Sequence, residues 1–270
     1  MAGDPSRTDV SDPSASVDAL RAAHSMVLER IASAAARVGR DPAGVTLVAV
    51  SKTVEAARIR DAYRAGLRTF GENRVQEALA KQPEIHFRDI EWHLVGPLQS
   101  NKARKAIDAF DVIQTVDSVG LARRLDLLGG DIQAGHAAPD GAIPAAPFRH
   151  PVLLQVNVDG DPAKAGFRPE DVAGALGEIA GMAHVRVEGL MTVGRFVEEA
   201  EAARPTFRAL RELSERLRAD GADLGPALSM GMTDDFEIAV EEGATIVRVG
   251  RALFGERPHH HGDGAVEHAH

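Results

Sequence analysis

Cysteine is absent from the 270 residues. Its absence excludes disulfides, thiolate metal sites and cysteine nucleophiles, and it fits a cytoplasmic protein. An excess of positive charge is also lacking: 31 Lys and Arg stand against 40 Asp and Glu, a formal charge of −9. Sequence-independent binding of nucleic acid needs a basic face, so this balance argues against it. No run of apolar residues approaches the ~18 that a membrane span requires. The first residues, MAGDPSRTDVSDPSAS, lack the apolar stretch of a secretory signal. Tyrosine occurs once, at Tyr63. What is present is ordinary for a globular chain, 44% apolar and 26% charged. A chain this long buries about three quarters of its extended surface and needs no staples.

Residues 1–15 are acidic and Pro/Ser-rich, and residues 258–270 are His-rich and polar. Both read as disordered tails, and the histidines as solvated side chains rather than metal ligands. Between them, Val17, Leu20, Val27, Ile31, Ala34 and Val38 recur at helical spacing and predict an N-terminal helix stopped by Gly39 and Pro42. His24 lies in that stripe and reads as a packed side chain. From residue 45 onward, eight β-rich runs alternate with helical stretches. The runs start with VTLVAVS (45–51) and end with PALSMG (226–231) and ATIVRVG (244–250). Eight strand–helix repeats in about 250 residues predict a single (β/α)8 TIM barrel, over residues 16–257 with the added N-terminal helix. The Gly/Pro/Ala-rich segment 129–148 interrupts the rhythm and reads as a surface insertion.

Lys52 stands at the end of the first strand run, in AVSKT, on the same alternating face as Val48 and Val50. Pointing inward, it would sit at the C-terminal mouth where barrel sites lie. A partly desolvated lysine there can attack an aldehyde and form a Schiff base. At the other end of the chain, LSMGM (228–232) and RVG (248–250) each bring a glycine, Gly231 and Gly250, to a strand end. Such glycines let backbone N–H groups approach a phosphate, which barrels often hold with the loops after strands seven and eight. Closure sets strand eight beside strand one. An aldehyde and a phosphate on one ligand describe pyridoxal 5′-phosphate (PLP). On strand eight, Arg248 shares its face with Ile246 and Gly250 and is expected to point into the barrel, where it needs a partner. A carboxylate such as Glu72 is one candidate.

AVSKT, FGENRVQE, WHLVGPLQSNK, GLMTVG, LSMGMTDD and VRVGRALFG, in this order from about residue 45 to 255, resemble the YggS/PROSC family of PLP homeostasis proteins. The resemblance implies an alanine-racemase-like barrel of fold type III, with the cofactor carried on Lys52. It implies phosphate ligands at Ser229, Gly250 and Arg251, and Asn73 and His93 lining the same mouth. It also offers the pyridine nitrogen of the cofactor as the partner of Arg248. Two positions depart from the family pattern: Arg74 stands where Tyr is frequent, and Arg251 where Thr is frequent. Arg251 would then bind phosphate through its backbone N–H or its guanidinium.

Two functions from different classes follow. In the first, the protein holds and releases PLP inside the cell without substantial turnover, with PLP-dependent apoenzymes as the partner class the resemblance implies. In the second, it is a PLP-dependent amino-acid racemase. Racemases of this fold add a C-terminal β-domain and a tyrosine base. The sequence after Gly250 is too short for such a domain, and Tyr63 falls in the first barrel helix, away from the mouth. The first reading is therefore the expectation, with no catalytic residue and no metal site. A Schiff-base aldolase is a third, weaker reading. Asp234 and Asp235 read as helix N-terminal charges with Thr233 as cap, Trp92 as packing, and Asn101 and Lys102 as either a cap or an anion contact.

Overall fold

Eight parallel strands pair in sequence order, and the last returns to the first: β1 (Thr46–Val50), β2 (Thr69–Glu72), β3 (Glu91–Leu94), β4 (Val112–Val116), β5 (His150–Gln155), β6 (Val185–Met191), β7 (Ala227–Met232) and β8 (Ile246–Val249). Pairing of β8 on β1 sets Val48 opposite Arg248. This computed structural model describes residues 13–135, 148–194 and 197–255. The predicted terminal segments lie outside the described residues, apart from Pro13 to Ala15, which begin the N-terminal helix.

Alternation along the strands explains the closed sheet. Ala49, Phe70, Trp92, Leu94, Ile113, Val152, Leu154, Val247 and Val249 join the continuous apolar core. The strands' other face turns inward, with Val48 packed against the backbone of Gly71. The outer ring consists of α2 (Ala56–Arg64), α3 (Val75–Lys81), α4 (Ala103–Ala109), α5 (Val119–Gly135), α6 (Val172–Ile179), α7 (Arg204–Ala219), α8 (Phe236–Glu241) and the short α9 (Arg251–Phe254). Trp92 packs against Phe70 in this layer, with ring centroids 5.7 Å apart.

The N-terminal helix α1 (Pro13–Arg37) packs on α2, α8 and α9, outside the seam where β8 meets β1. Its stripe buries Leu20, Val27, Ile31 and Ala34. A fully buried Leu or Ile contributes roughly 1.5–3 kcal/mol. Val38 ends exposed beyond the helix. His24 packs on the turn before β2, its Nδ1 3.4 Å from Ala65 O. Arg30–Glu237 and Arg37–Glu241 pairs fasten α1 to α8.

The segment expected as an insertion is partly helical. α5 continues through Gly129 and Gly130 to Gly135, and residues 136–147 lie outside the described residues. The two glycines are a packing requirement: a Cβ on Gly129 would come 2.5 Å from His184 Cβ. Register shifts interrupt the ladders of β4 with β5, β5 with β6 and β7 with β8. Gly231, at φ 88°, lies in the last of these, where the chain must bend to leave β7.

Candidate functional site

The β1 ladder continues one residue past the strand, with Ser51 N–H donating to Gly71 O at 2.9 Å. Lys52 follows, half-buried, in a tight turn closed by Val54 N–H on Ser51 O at 3.0 Å. Thr53 occupies the left-handed position at φ 64°, and it is the only non-glycine residue with positive φ among those described. A β-branched residue there stores roughly 1–3 kcal/mol of strain, of a kind that collects at functional sites. Lys52 Nζ has no hydrogen bond or ion pair among the described residues.

One strand away, Gly250 lies directly against Val50: a Cβ there would be 3.3 Å from Val50 O. Closure thus brings the loop after β8 next to the lysine turn. Gly250 N–H donates to Thr233 Oγ1 at 3.3 Å, tying the loops after β7 and β8 together. The amides of Arg251 and Ala252 follow at the start of α9, while those of Leu253 and Phe254 bond back to Gly250 O, each at 3.0 Å. Arg251 pairs its guanidinium with Asp234 of the loop after β7. Asp235 bonds back to the Met232 amide at 2.6 Å. Burial holds its carboxyl above the usual range, against the pull of that bond and of Arg248.

Below this rim, a chain of buried polar groups crosses the barrel. Arg248 donates from Nη1 to Ser229 Oγ at 2.6 Å and from Nη2 to the Thr192 carbonyl at 2.8 Å. Ser229 donates to Gln114 Oε1 at 2.6 Å, and Gln114 Nε2 lies 2.6 Å from His93 Nδ1. Each hydroxyl and amide in that chain has one consistent direction of donation, from Arg248 toward His93. Burial lowers the Arg248 guanidinium to about 10, opposed by the nearby Asp235 carboxylate. It remains a cation at neutral pH.

The structure therefore gathers Lys52, Asn73, Gly231, Gly250 and Arg251 at or beside the C-terminal mouth, with Arg248 one layer deeper. Asn73 is half-buried and leaves β2 with its backbone against Gly96, where a Cβ would be 2.2 Å from Asn73 O. Its side-chain amide has no partner among the described residues. Arg74 extends outward beside Glu77.

Ser229 lies inside the barrel, where its hydroxyl accepts from Arg248 and donates to Gln114. Thr233, read from sequence as a helix cap, supplies the hydroxyl at the rim. His93 is 3% exposed, and its Nε2 turns toward Glu91 at the N-terminal end of β3, at 3.5 Å. Glu72 is not the partner of Arg248. It faces the helix layer, accepting from Ser51 Oγ at 2.7 Å and Lys81 Nζ at 2.8 Å. Asp235 stands before α8 without capping it through its side chain, and Thr233 caps nothing. Asn101 and Lys102 sit in a 3-10 turn ahead of α4. Tyr63 bonds Asp89 at 2.5 Å and stacks on Phe87, in the segment that leads into β3 and away from the mouth. Gln114 went unnoticed in the sequence because its role depends on partners on two other strands.

Among the described residues, no group of three or more His, Asp or Glu side chains is arranged to hold a metal ion, and no helix is long and apolar enough to cross a membrane.

Residues 26–258 match the family model for the alanine racemase N-terminal domain. The pyridoxal phosphate homeostasis protein of Pseudomonas aeruginosa is 44% identical over 231 residues, covering 86% of this chain and 93% of the relative. That of Aquifex aeolicus is 41% identical over 233 residues, covering 86% and 96%. The structure of PipY from Synechococcus elongatus with PLP bound superposes with a TM-score of 0.71 at 42% identity, covering 85% of this chain and all of that one. Alanine racemase from Corynebacterium glutamicum shares the fold alone, at 19% identity and a TM-score of 0.61, and only 61% of its chain is covered. With most of both chains aligned at this identity, the protein belongs to the family of pyridoxal phosphate homeostasis proteins, built on the alanine racemase N-terminal barrel.

Proposed function

We propose that this protein binds PLP on Lys52 and serves cofactor homeostasis, holding and releasing PLP without substantial turnover of a substrate. The observation that carries the reading is the closeness of the Gly250 loop to the strand end that bears Lys52, whose amine has no partner among the described residues. An aldehyde and a phosphate on one small molecule satisfy both ends at once. The residues fit the group: Lys52 would take the aldehyde end, and the Arg251 amide with the Thr233 hydroxyl, itself held by the Gly250 amide, would take the phosphate. The amide of Asn73 is available beside them. When bound, PLP supplies a reactive aldehyde and a ring that can accept electrons from a bonded amine.

This chain's own groups favour holding over turnover. Arg248 is a permanent cation that donates hydrogen bonds and accepts none. Aimed at the ring nitrogen, it would oppose protonation there and leave the ring a weak electron sink. The single tyrosine is engaged with Asp89 elsewhere. The relatives carry the name of homeostasis proteins rather than of enzymes, whereas racemases and a D-threonine aldolase share the fold at low identity. A common fold leaves the chemistry to the site.

Absorbance spectra of the purified protein with and without added PLP, followed by assays with common amino acids, test the reading. It expects a saturable new band and no turnover near 1 s⁻¹, a rate within the range of ordinary enzymes. Turnover at that rate would support the racemase-like alternative.

A further inference from the structure

Behind Lys52, on the helix side of the sheet, lies a partly buried cluster that the binding site does not use. Lys81, from the last turn of α3, donates to Glu72 Oε1 and to the backbone carbonyl of Ser51, each at 2.8 Å. Ser51 Oγ donates to the same Glu72 oxygen at 2.7 Å. Glu77, one turn back on α3, lies 3.9 Å from Lys81 Nζ and accepts from the Thr53 amide at 3.3 Å. Glu72 is wholly buried and its second oxygen has no partner among the described residues.

The pattern of these bonds is specific. The residue before Lys52 is held by its carbonyl and its hydroxyl, and the residue after it by its amide. Lys52's own amine takes part in none of these bonds. The peptide that orients the amine is thus fixed from behind, through a turn whose Thr53 sits in an unfavourable backbone region. A buried ion pair adds little stability over an apolar packing of the same volume, since desolvation offsets its attraction. Its geometry, by contrast, constrains the main chain strongly.

We propose that Lys81, with Glu72 and Glu77, is a positioning group for Lys52: it holds the Ser51–Lys52–Thr53 backbone so that the Lys52 amine is presented to an aldehyde in the mouth. The inference rests on the reading of Lys52 as the PLP-bearing residue. Its consequence is selective. Loss of the brace weakens the covalent component of binding and spares the phosphate component, which the loops after β7 and β8 supply on the other side.

Two ligands separate these components: PLP, and pyridoxine 5′-phosphate, which has an alcohol in place of the aldehyde. The wild-type protein is expected to bind PLP more tightly. The double substitution Glu72→Gln with Lys81→Met removes both charges without stranding either. It should lower affinity for PLP by about tenfold or more, as misplacement of a reacting group does, while affinity for pyridoxine 5′-phosphate stays within about twofold. Lys81→Arg, which keeps donors for Ser51 O and Glu72, should restore most of the preference for PLP. If the double variant does not fold, Glu77→Ala removes the acceptor of the Thr53 amide while Glu72 and Lys81 stay in place, and it should still narrow the preference, by about threefold. Equal losses for both ligands, or an unchanged preference in the folded variants, would overturn the inference. A wild-type protein that binds both ligands equally would instead refute the reading of Lys52 on which it rests.

Discussion

Arg248 and Ser229 are joined across the barrel interior by a 2.6 Å hydrogen bond from guanidinium to hydroxyl. The bond fixes an arginine on β8 through a residue on β7. Ser229 passes the constraint to Gln114 on β4, and Gln114 to His93 on β3. Removing the hydroxyl leaves a guanidinium N–H and a buried amide oxygen without partners. Ser229→Ala is therefore expected to cost about 1–3 kcal/mol of stability, read as a lower midpoint in urea unfolding. A variant as stable as the wild type would mean that the chain of bonds is not maintained in solution.

Thr233 should behave differently. Its hydroxyl stands at the rim, bonded to the Gly250 amide. A bond from such a hydroxyl to a phosphate is charge-assisted and contributes roughly 1.5–3 kcal/mol. Thr233→Ala should weaken PLP binding by about tenfold or more and affect phosphate-free pyridoxal much less. Titrations of the two ligands with the same variant give the comparison, and equal losses would remove Thr233 from the phosphate site.

Gly231 has a structural reason to be glycine. Its φ is 88°, and a Cβ would come 2.5 Å from Ala239 Cβ and 2.9 Å from Phe236 Cα. Gly231→Ala must both strain the backbone and push α8 away from β7. A loss of about 1–3 kcal/mol is expected, with weaker PLP binding because the Thr233 loop moves with it. Thermal unfolding of the variant with and without PLP measures both effects.

His150 supplies a pH test that is independent of any ligand. It is buried at the start of β5, and burial lowers its pKa to about 4. In the unfolded chain it titrates near 6.5. Between these values the unfolded state binds the extra proton, so stability is full above pH 6.5 and falls as pH drops toward 4. The gap corresponds to about 3 kcal/mol at pH 4. Glu72 and Asp235, held high by burial, act in the opposite direction, and other carboxylates act in the same one. The contribution of His150 is therefore the difference between wild type and His150→Gln. Between pH 7 and 4 the variant should lose about 3 kcal/mol less than the wild type in denaturant unfolding. Parallel curves would show that His150 titrates normally in the fold.

The order of strands and helices was legible because β-rich runs alternate with 3.6-residue stripes, and the stripe of α1 shows Leu20, Val27 and Ile31 as its buried edge. The place of Lys52 at a strand end was legible through simple alternation from Val48 and Val50. The surroundings of Ser229 were not. Alternation with Leu228 and Met230 turns Ser229 inward, but its partners Gln114 and Arg248 come from strands far along the chain. Gly129 and Gly130 read as the start of a surface insertion, although they make room for His184, a neighbour far along the chain. The Glu72–Lys81 pair was hidden for a related reason: Glu72 looked like a candidate for the barrel interior until the structure placed it on the outer face with Phe70.

The central claim is that Lys52 carries PLP. Borohydride reduction of the PLP-loaded protein, proteolysis and peptide mass analysis test it directly. The account predicts one pyridoxyl group, on the peptide containing Lys52, and its absence from Lys52→Ala. A label on Lys81, Lys102 or Lys164 with Lys52 unmodified, or no label after loading to saturation, would contradict it.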